Sequence, residues 1–379
     1  MNFYQTSIFS LIVLFIVFSE NTSAQKDKHI IASLSNHSDQ VHSVSFSPDG
    51  KHFVSGSADK SIIIWDFETL NPIHTLEKHH GPVYALNYTN DGKHFLSGGD
   101  NTIKIWEQNG TFIKSLSGHS TAVWSIGISK DDRYIVSGSF DNNFRIWDIY
   151  SGETLHIFDI DKKSILATAI NPVNQFIACG TQDGTVVLFT FDNYEVLHTF
   201  SAHGNNVYSL DFSPNGKLMA SAGRDGNIKI WDVTTMEILH LLGKHERSVM
   251  DVKFSRNGKY LISGSYDATV RIWDVESGEQ IHQFIGHEMP VNAVDISHDN
   301  KYIISGSSDN SVIVWELHPE ILIEFYFASE FAEELEKSGL FEPKKRTESR
   351  SEYKERQEKA EEFKLSLYKK FLDQLNKNN

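Results

Sequence analysis

One stretch of sequence recurs along most of this chain, and a recurring unit of this length leaves few folds open. Ser213-Pro214-Asn215-Gly216 is followed by a short apolar run, then by Ser221-Ala222-Gly223-Arg224-Asp225 and Ile228-Lys229-Ile230-Trp231-Asp232. Histidines open the units at His37, His79, His119, His203, His245 and His287. Aspartates follow at Asp59, Asp100, Asp141, Asp225, Asp267 and Asp309, and tryptophans close at Trp65, Trp106, Trp147, Trp231, Trp273 and Trp315. The His-to-Asp and Asp-to-Trp gaps are 22 and 6 residues, except that one residue is missing before Asp100 and the first gap there is 21. A degraded unit lies in the middle, with Asp161 at the His place, Asp183 at its own and Phe189 for the Trp. Seven units then run from about residue 37 to 317 with a period of 40 to 42 residues.

The units read as sheet. Val207 to Phe212 and Asn227 to Trp231 are rich in β-branched and aromatic residues with partial alternation. Ser47-Pro48-Asp49-Gly50 and Ser213-Pro214-Asn215-Gly216 carry turn chemistry between strands. The Gly-His pairs at Gly118-His119 and Gly286-His287 and the Trp-Asp pairs at Trp65, Trp147, Trp231 and Trp273 complete a pattern that resembles the WD-repeat family. Trp106-Glu107 and Trp315-Glu316 are near matches. The resemblance implies an all-β chain: a seven-bladed β-propeller of four-stranded antiparallel blades, followed by a short α-helical C-terminal extension. A single blade cannot bury both its faces, whereas seven stacked in a ring can.

The resemblance also implies that the His, a Ser, the Asp and the Trp of one blade form a buried hydrogen-bonded chain. Its members are His37, Ser55, Asp59 and Trp65 in the first blade and His119, Ser137, Asp141 and Trp147 in the third. They are His203, Ser221, Asp225 and Trp231 in the fifth, His245, Ser263, Asp267 and Trp273 in the sixth, and His287, Ser305, Asp309 and Trp315 in the seventh. Ser97 holds the Ser place in the second. A buried imidazole or indole N–H must find a partner. With six copies, such sets are structural and not catalytic triads, and histidines spread over six blades are not a metal set. The fourth set, Asp161, Cys179, Asp183 and Phe189, cannot make the same chain, and that blade is expected to be the loosest. Cys179, the one cysteine, reads as a small buried hydrophobe.

In the family the top face around the central channel commonly binds peptides. Carried onto this chain, one set of lining positions is His42, Tyr84, Trp124, Leu166, Tyr208, Met250 and Asn292. The other is Ala58, Gly99, Phe140, Gln182, Arg224, Tyr266 and Ser308. Aromatic residues, Met and Arg are the types enriched at interface hot spots. Trp124 is the one Trp outside the closing position, so the repeat does not account for it. The bland alternative is that these aromatics only fill the channel mouth.

The two ends differ from the ring. Residues 8–18 are apolar apart from Ser10 and have the length of a signal-peptide core, with Thr22-Ser23-Ala24 as a cleavage site before Gln25. The n-region lacks Lys and Arg, and an uncleaved anchor is the alternative. On this reading 1–24 is a signal peptide, 25–319 the propeller with residues 29–35 completing its last blade, and 320–379 a helical tail. The protein is then secreted or periplasmic, with no stable membrane insertion once cleaved, as in secreted bacterial-type propellers with helical tails. The tail reads as one helix from Ile321 to Leu340, stopped by Gly339, and a second from Glu352 to Leu375.

The net charge of −15 argues against nucleic acid and anionic membranes, which would gain no counterion-release energy. The expected function is a non-catalytic protein- or peptide-binding scaffold outside the cytoplasm, with no small-molecule cofactor and no metal. The alternatives are an extracellular propeller enzyme, a lyase or hydrolase, and a structural component of a cell-envelope assembly. The enzyme reading lacks a nonrepeated carboxylate pair, a metal-spaced His set or a nucleophile elbow.

Overall fold

The computed structural model describes residues 27–160, 163–173, 176–243 and 245–377. Both the leader expected over 1–24 and Asp161 lie outside them. Among the described residues, twenty-eight strands form seven four-stranded antiparallel sheets. The first blade is Val41–Phe46, His52–Ser57, Ile62–Asp66 and Pro72–Leu76, innermost to outermost. Burial falls along that order: the first three strands are almost wholly buried, and Pro72–Leu76 is exposed. The innermost strands pack side by side around the ring, Val291–Ile296 of the seventh blade meeting Val41–Phe46 of the first.

Blade contact requires the absence of a side chain at one position. A Cβ on Gly56 would sit 2.6 Å from Val83 of the second blade, and one on Gly306 would sit 2.6 Å from Val41. The closing Trp residues pack into shared cores: Trp147 of the third blade is buried with Leu96, Ile103 and Ile105 of the second. Each fully buried Leu or Ile in such a seam stabilises by about 1.5–3 kcal/mol.

The ring closes with a strand from the other end of the chain. Ile30–Leu34 pairs antiparallel with Val312–Glu316, Leu34 opposite Val312 and Ile30 opposite Trp315. This strand covers what would be an open edge of the last blade.

Among the described residues the tail has three helices: α1 (Pro319–Tyr326), α2 (Ala328–Ser338) and α3 (Arg350–Lys377). The single helix expected over 321–340 is broken at Phe327, whose φ of −127° leaves the helical region. Across the break α1 packs on both the propeller and α3, and α2 packs on α3. Ile321 is buried with the outer strands of the propeller seam, beside Phe284, Trp315 and Leu317. Ile323 and Phe331 instead pack on Leu367 and Phe371 of α3. Gly339 ends α2 with a φ of +63°, a conformation that suits glycine. The Tyr326 hydroxyl donates to Asp274, tying the tail to the sixth blade. Among the described residues no helix is long and apolar enough to cross a membrane.

Candidate protein-binding face

In the first blade Asp59 can only accept, so His37 Nδ1, 2.9 Å away, carries the imidazole proton. Nε2 is then an acceptor for the Ser55 hydroxyl at 2.8 Å, and Ser55 Oγ accepts the Trp65 indole N–H at 2.8 Å. The same chain runs through His119, Ser137, Asp141 and Trp147, with 2.9, 2.7 and 2.8 Å links. It recurs through His203, Ser221, Asp225 and Trp231, through His245, Ser263, Asp267 and Trp273, and through His287, Ser305, Asp309 and Trp315. The Asp also accepts from the backbone N–H after the His, as Asp59 does from Ser38, so each chain pins a top loop. Burial lowers the His37 imidazole pKa despite the neighbouring Asp59. Burial alone would raise Asp59, but hydrogen bonds from Ser61 and Ser38 and the nearby His37 bring it down to about 2. A nucleophile needs access to substrate; these serines are fully buried, so they hold the blades and present no chemistry.

Two blades deviate. In the second, the missing residue leaves His79 Nδ1 3.4 Å from Asp100, and Nδ1 makes no hydrogen bond. Burial, and then the Lys104 ammonium, push the His79 pKa down to about 4. In the fourth, Phe189 has no N–H to place and Cys179 no hydroxyl. Cys179, Phe189 and Val187 join Val136 and Phe144 of the third blade in an apolar core. Burial pushes the Cys179 thiol up to about 12, which rules it out as a nucleophile at neutral pH. Asp183 turns instead to Thr181 at 2.6 Å and Lys163 at 2.8 Å.

The channel mouth is where the repeats differ from one another. His42, Tyr84, Trp124, Leu166, Tyr208, Met250 and Asn292, one from each blade, line a single cavity, joined by Tyr266. Three successive blades place their rings in contact: His42 to Tyr84 at 5.0 Å, and Tyr84 stacked on Trp124 at 4.4 Å. Phe140 then meets Trp124 edge-on at 4.9 Å. Phe140 is 40% exposed and Tyr266 43%, large apolar surface that the fold does not cover. Asn292 is spent on structure, donating to Val41 O and Ser308 Oγ. Arg224 is exposed. Gly99 is buried against His79, where a Cβ would come within 2.6 Å of Nδ1, and lies off the cavity lining.

Sequence reasoning missed the channel wall beneath this mouth. Asp211 accepts from Phe254 N at 2.7 Å, Asp251 from Val294 N at 3.0 Å, and Asp295 from Phe46 N at 2.7 Å. These carboxylates stitch each inner strand to the next blade, and Lys253 lies among them on the cavity wall. Their signal was acidic residues inside otherwise apolar inner strands.

A family model described as "WD domain, G-beta repeat" matches seven times, over residues 28–66, 70–107, 110–148, 152–190, 194–232, 236–274 and 278–316. The chain belongs to this WD40 family. Each match begins on an outer strand and ends on the third strand of the next sheet, so the first takes in Ile30–Leu34. Protein HIR1 of Aspergillus oryzae is 29% identical over 151 residues, which is 40% of this chain and 12% of that protein. A subunit of chromatin assembly factor 1 from Gallus gallus is 26% identical over 143 residues, 38% of this chain and 22% of that protein. Nuclear distribution protein nudF of Aspergillus flavus is 30% identical over 125 residues, 32% of this chain and 28% of that protein. The chain thus spans 12% to 28% of the length of these curated relatives.

These relatives correct the secreted or periplasmic location. They are fungal and avian proteins whose names speak of chromatin assembly and nuclear distribution. The expectation rested on residues 8–18, a short apolar run without basic residues before it, and a run of that kind is compositional. The relatives match 125 to 151 residues of this chain.

Proposed function

We propose that the WD40 ring is a non-catalytic scaffold that binds a protein or peptide segment at its top face, anchored on the aromatic arc of Tyr84, Trp124 and Phe140. The observation that carries this reading is that arc: Trp124 touches both the Tyr84 and the Phe140 rings at the channel mouth, and Phe140 is left exposed. Rings already held against one another lose little side-chain entropy on binding. Their faces suit an apolar or cationic anchor, and the net charge of −15 favours a basic segment. The name of the chicken relative, which speaks of chromatin assembly, agrees with a role in assembling other proteins.

The test is a panel of soluble peptides carrying Lys or Arg, apolar, or acidic anchors, titrated against the full chain and against a Trp124→Ala/Phe140→Ala/Tyr266→Ala triple variant. Peptides with cationic or apolar anchors are expected to bind the native chain, and the triple variant to lose that binding while keeping its Tm. Full retention of binding by the triple variant overturns the proposal.

A further inference from the structure

Away from the top face, the ring seam carries a cluster that does not repeat. Asp27 and His29 precede the strand that completes the seventh blade, and His282 lies on the outer strand of the sixth, Gln280–Ile285. One ligand atom from each of the three lies within 4.8 Å of the others. The His29 and His282 rings meet edge-on at 5.3 Å, and His29 is buried. Asp27 is already held in place: His29 N donates to Oδ1 at 3.0 Å and Ile285 N to Oδ2 at 3.3 Å. His29 O accepts from Glu316 N at 2.9 Å, which fixes the segment to the blade.

One atom in this cluster is unaccounted for. His282 Nε2 is buried and has no hydrogen-bond partner. Its nearest acid, Asp27 Oδ2, is 3.9 Å away, too far for a hydrogen bond. A buried ring nitrogen without a partner costs the protein its desolvation. A tetrahedral ion with bonds of about 2.0–2.2 Å spaces its donors by about 3.4 Å, so a small side-chain shift would bring both atoms onto one metal.

We infer that Asp27, His29 and His282 form a binding site for a divalent transition-metal ion of the Zn(II) class, clipping the N-terminal segment to the sixth blade. Two imidazoles and one carboxylate suit Zn(II), Co(II) or Ni(II); Mg(II) and Ca(II) prefer all-oxygen sets. The ion supplies His282 Nε2 with the partner it lacks and leaves its remaining coordination to solvent. The clip ties the start of the closing strand to the neighbouring blade, so its effect is on ring closure.

The full chain, stripped with a chelator, is titrated with Co(II) and followed by ligand-field absorption, and its Tm is read with and without Zn(II). The expected result is saturable binding of one ion per chain and a Tm rise of about 2–4 °C with saturating Zn(II). His282→Ala and Asp27→Asn should each weaken binding about tenfold or more and lose the Tm rise, while the exposed His198→Ala should change neither. If His282→Ala does not fold, Asp27→Asn carries the test. Absence of saturable Co(II) binding, unchanged binding in the folded variants, or an equal Tm rise with Mg(II) overturns the inference.

Discussion

The fifth and fourth blades are neighbours in one ring and solve the same packing problem with opposite chemistry. The fifth buries a polar chain: Trp231 donates to Ser221 at 2.9 Å, Ser221 bonds His203 at 2.9 Å, and His203 bonds Asp225 at 3.0 Å. The fourth replaces Ser with Cys179 and Trp with Phe189, and closes the gap with rings, Phe189 lying 4.4 Å from Phe158 and 5.8 Å from Phe144. Donor and acceptor are lost together, so nothing is stranded. Replacing both partners of a buried hydrogen bond can be nearly neutral, whereas removing one is costly. In the fourth blade Asp183 bonds Thr181 and reaches the top loop through the Lys163 ammonium.

The contrast is broken most severely at Ser221. Ser221→Ala strands the Trp231 N–H and the His203 Nε2, at about 1–3 kcal/mol each. Urea denaturation should therefore show a loss of about 2–6 kcal/mol. A loss under about 0.5 kcal/mol, the scale of an ordinary surface change, would mean that the polar chains do not hold the blades.

Acid sharpens the same contrast. His79 stays neutral in the folded second blade down to about pH 4, while the unfolded chain takes up its proton near 6.5. Between those values the unfolded state binds the additional proton, so stability is lost as pH falls through that window. For His79 alone the loss approaches about 3 kcal/mol. The first blade adds a lower step: Asp59, held at about 2 against an ordinary 3.8, withdraws its contribution as pH falls from 3.8 toward 2. His79→Gln should flatten the upper part of the profile, measured as urea midpoint against pH. An unchanged profile would place the acid sensitivity elsewhere.

At Cys179 the sign of the fifth-blade experiment reverses. Cys179→Ser restores the hydroxyl of the regular blades but gives it neither imidazole nor indole, and should cost about 1–3 kcal/mol. Cys179→Ala removes only the sulfur and should cost about 1 kcal/mol. A stabilising Cys179→Ser would show that a polar partner is within reach. The smallest effect is local: amide hydrogen exchange should open the top-loop end of Ile165–Ile170 ahead of Val207–Phe212, because no histidine chain pins it.

Much of this was legible because the repeat is local. Period, strand chemistry and the His, Ser, Asp and Trp spacing all lie within one unit, and the residue missing before Asp100 reappears as the 3.4 Å contact to His79. The offset of His42, Tyr84, Trp124, Leu166, Tyr208, Met250 and Asn292 within the unit placed one residue of each blade on a shared cavity, whereas of the second set only Tyr266 lines it. What was not legible depends on packing between distant segments. The break at Phe327 has no Gly or Pro to announce it; it lies between Ile321, buried on the propeller, and Phe331, packed on α3. Asp27, His29 and His282 come together only when the ring closes. The apolar run at residues 8–18 misled about location because composition alone carried it.

The central claim is a division of labour: buried polar chains hold the ring and the aromatic arc recognises. It is tested most directly by measuring Tm and peptide affinity together on Ser137→Ala, in the same blade as Trp124 and Phe140. The account predicts a lowered Tm with affinity unchanged at a temperature where the variant is folded. Lost affinity with Tm intact would contradict it, because the histidine chain would then be part of the binding site.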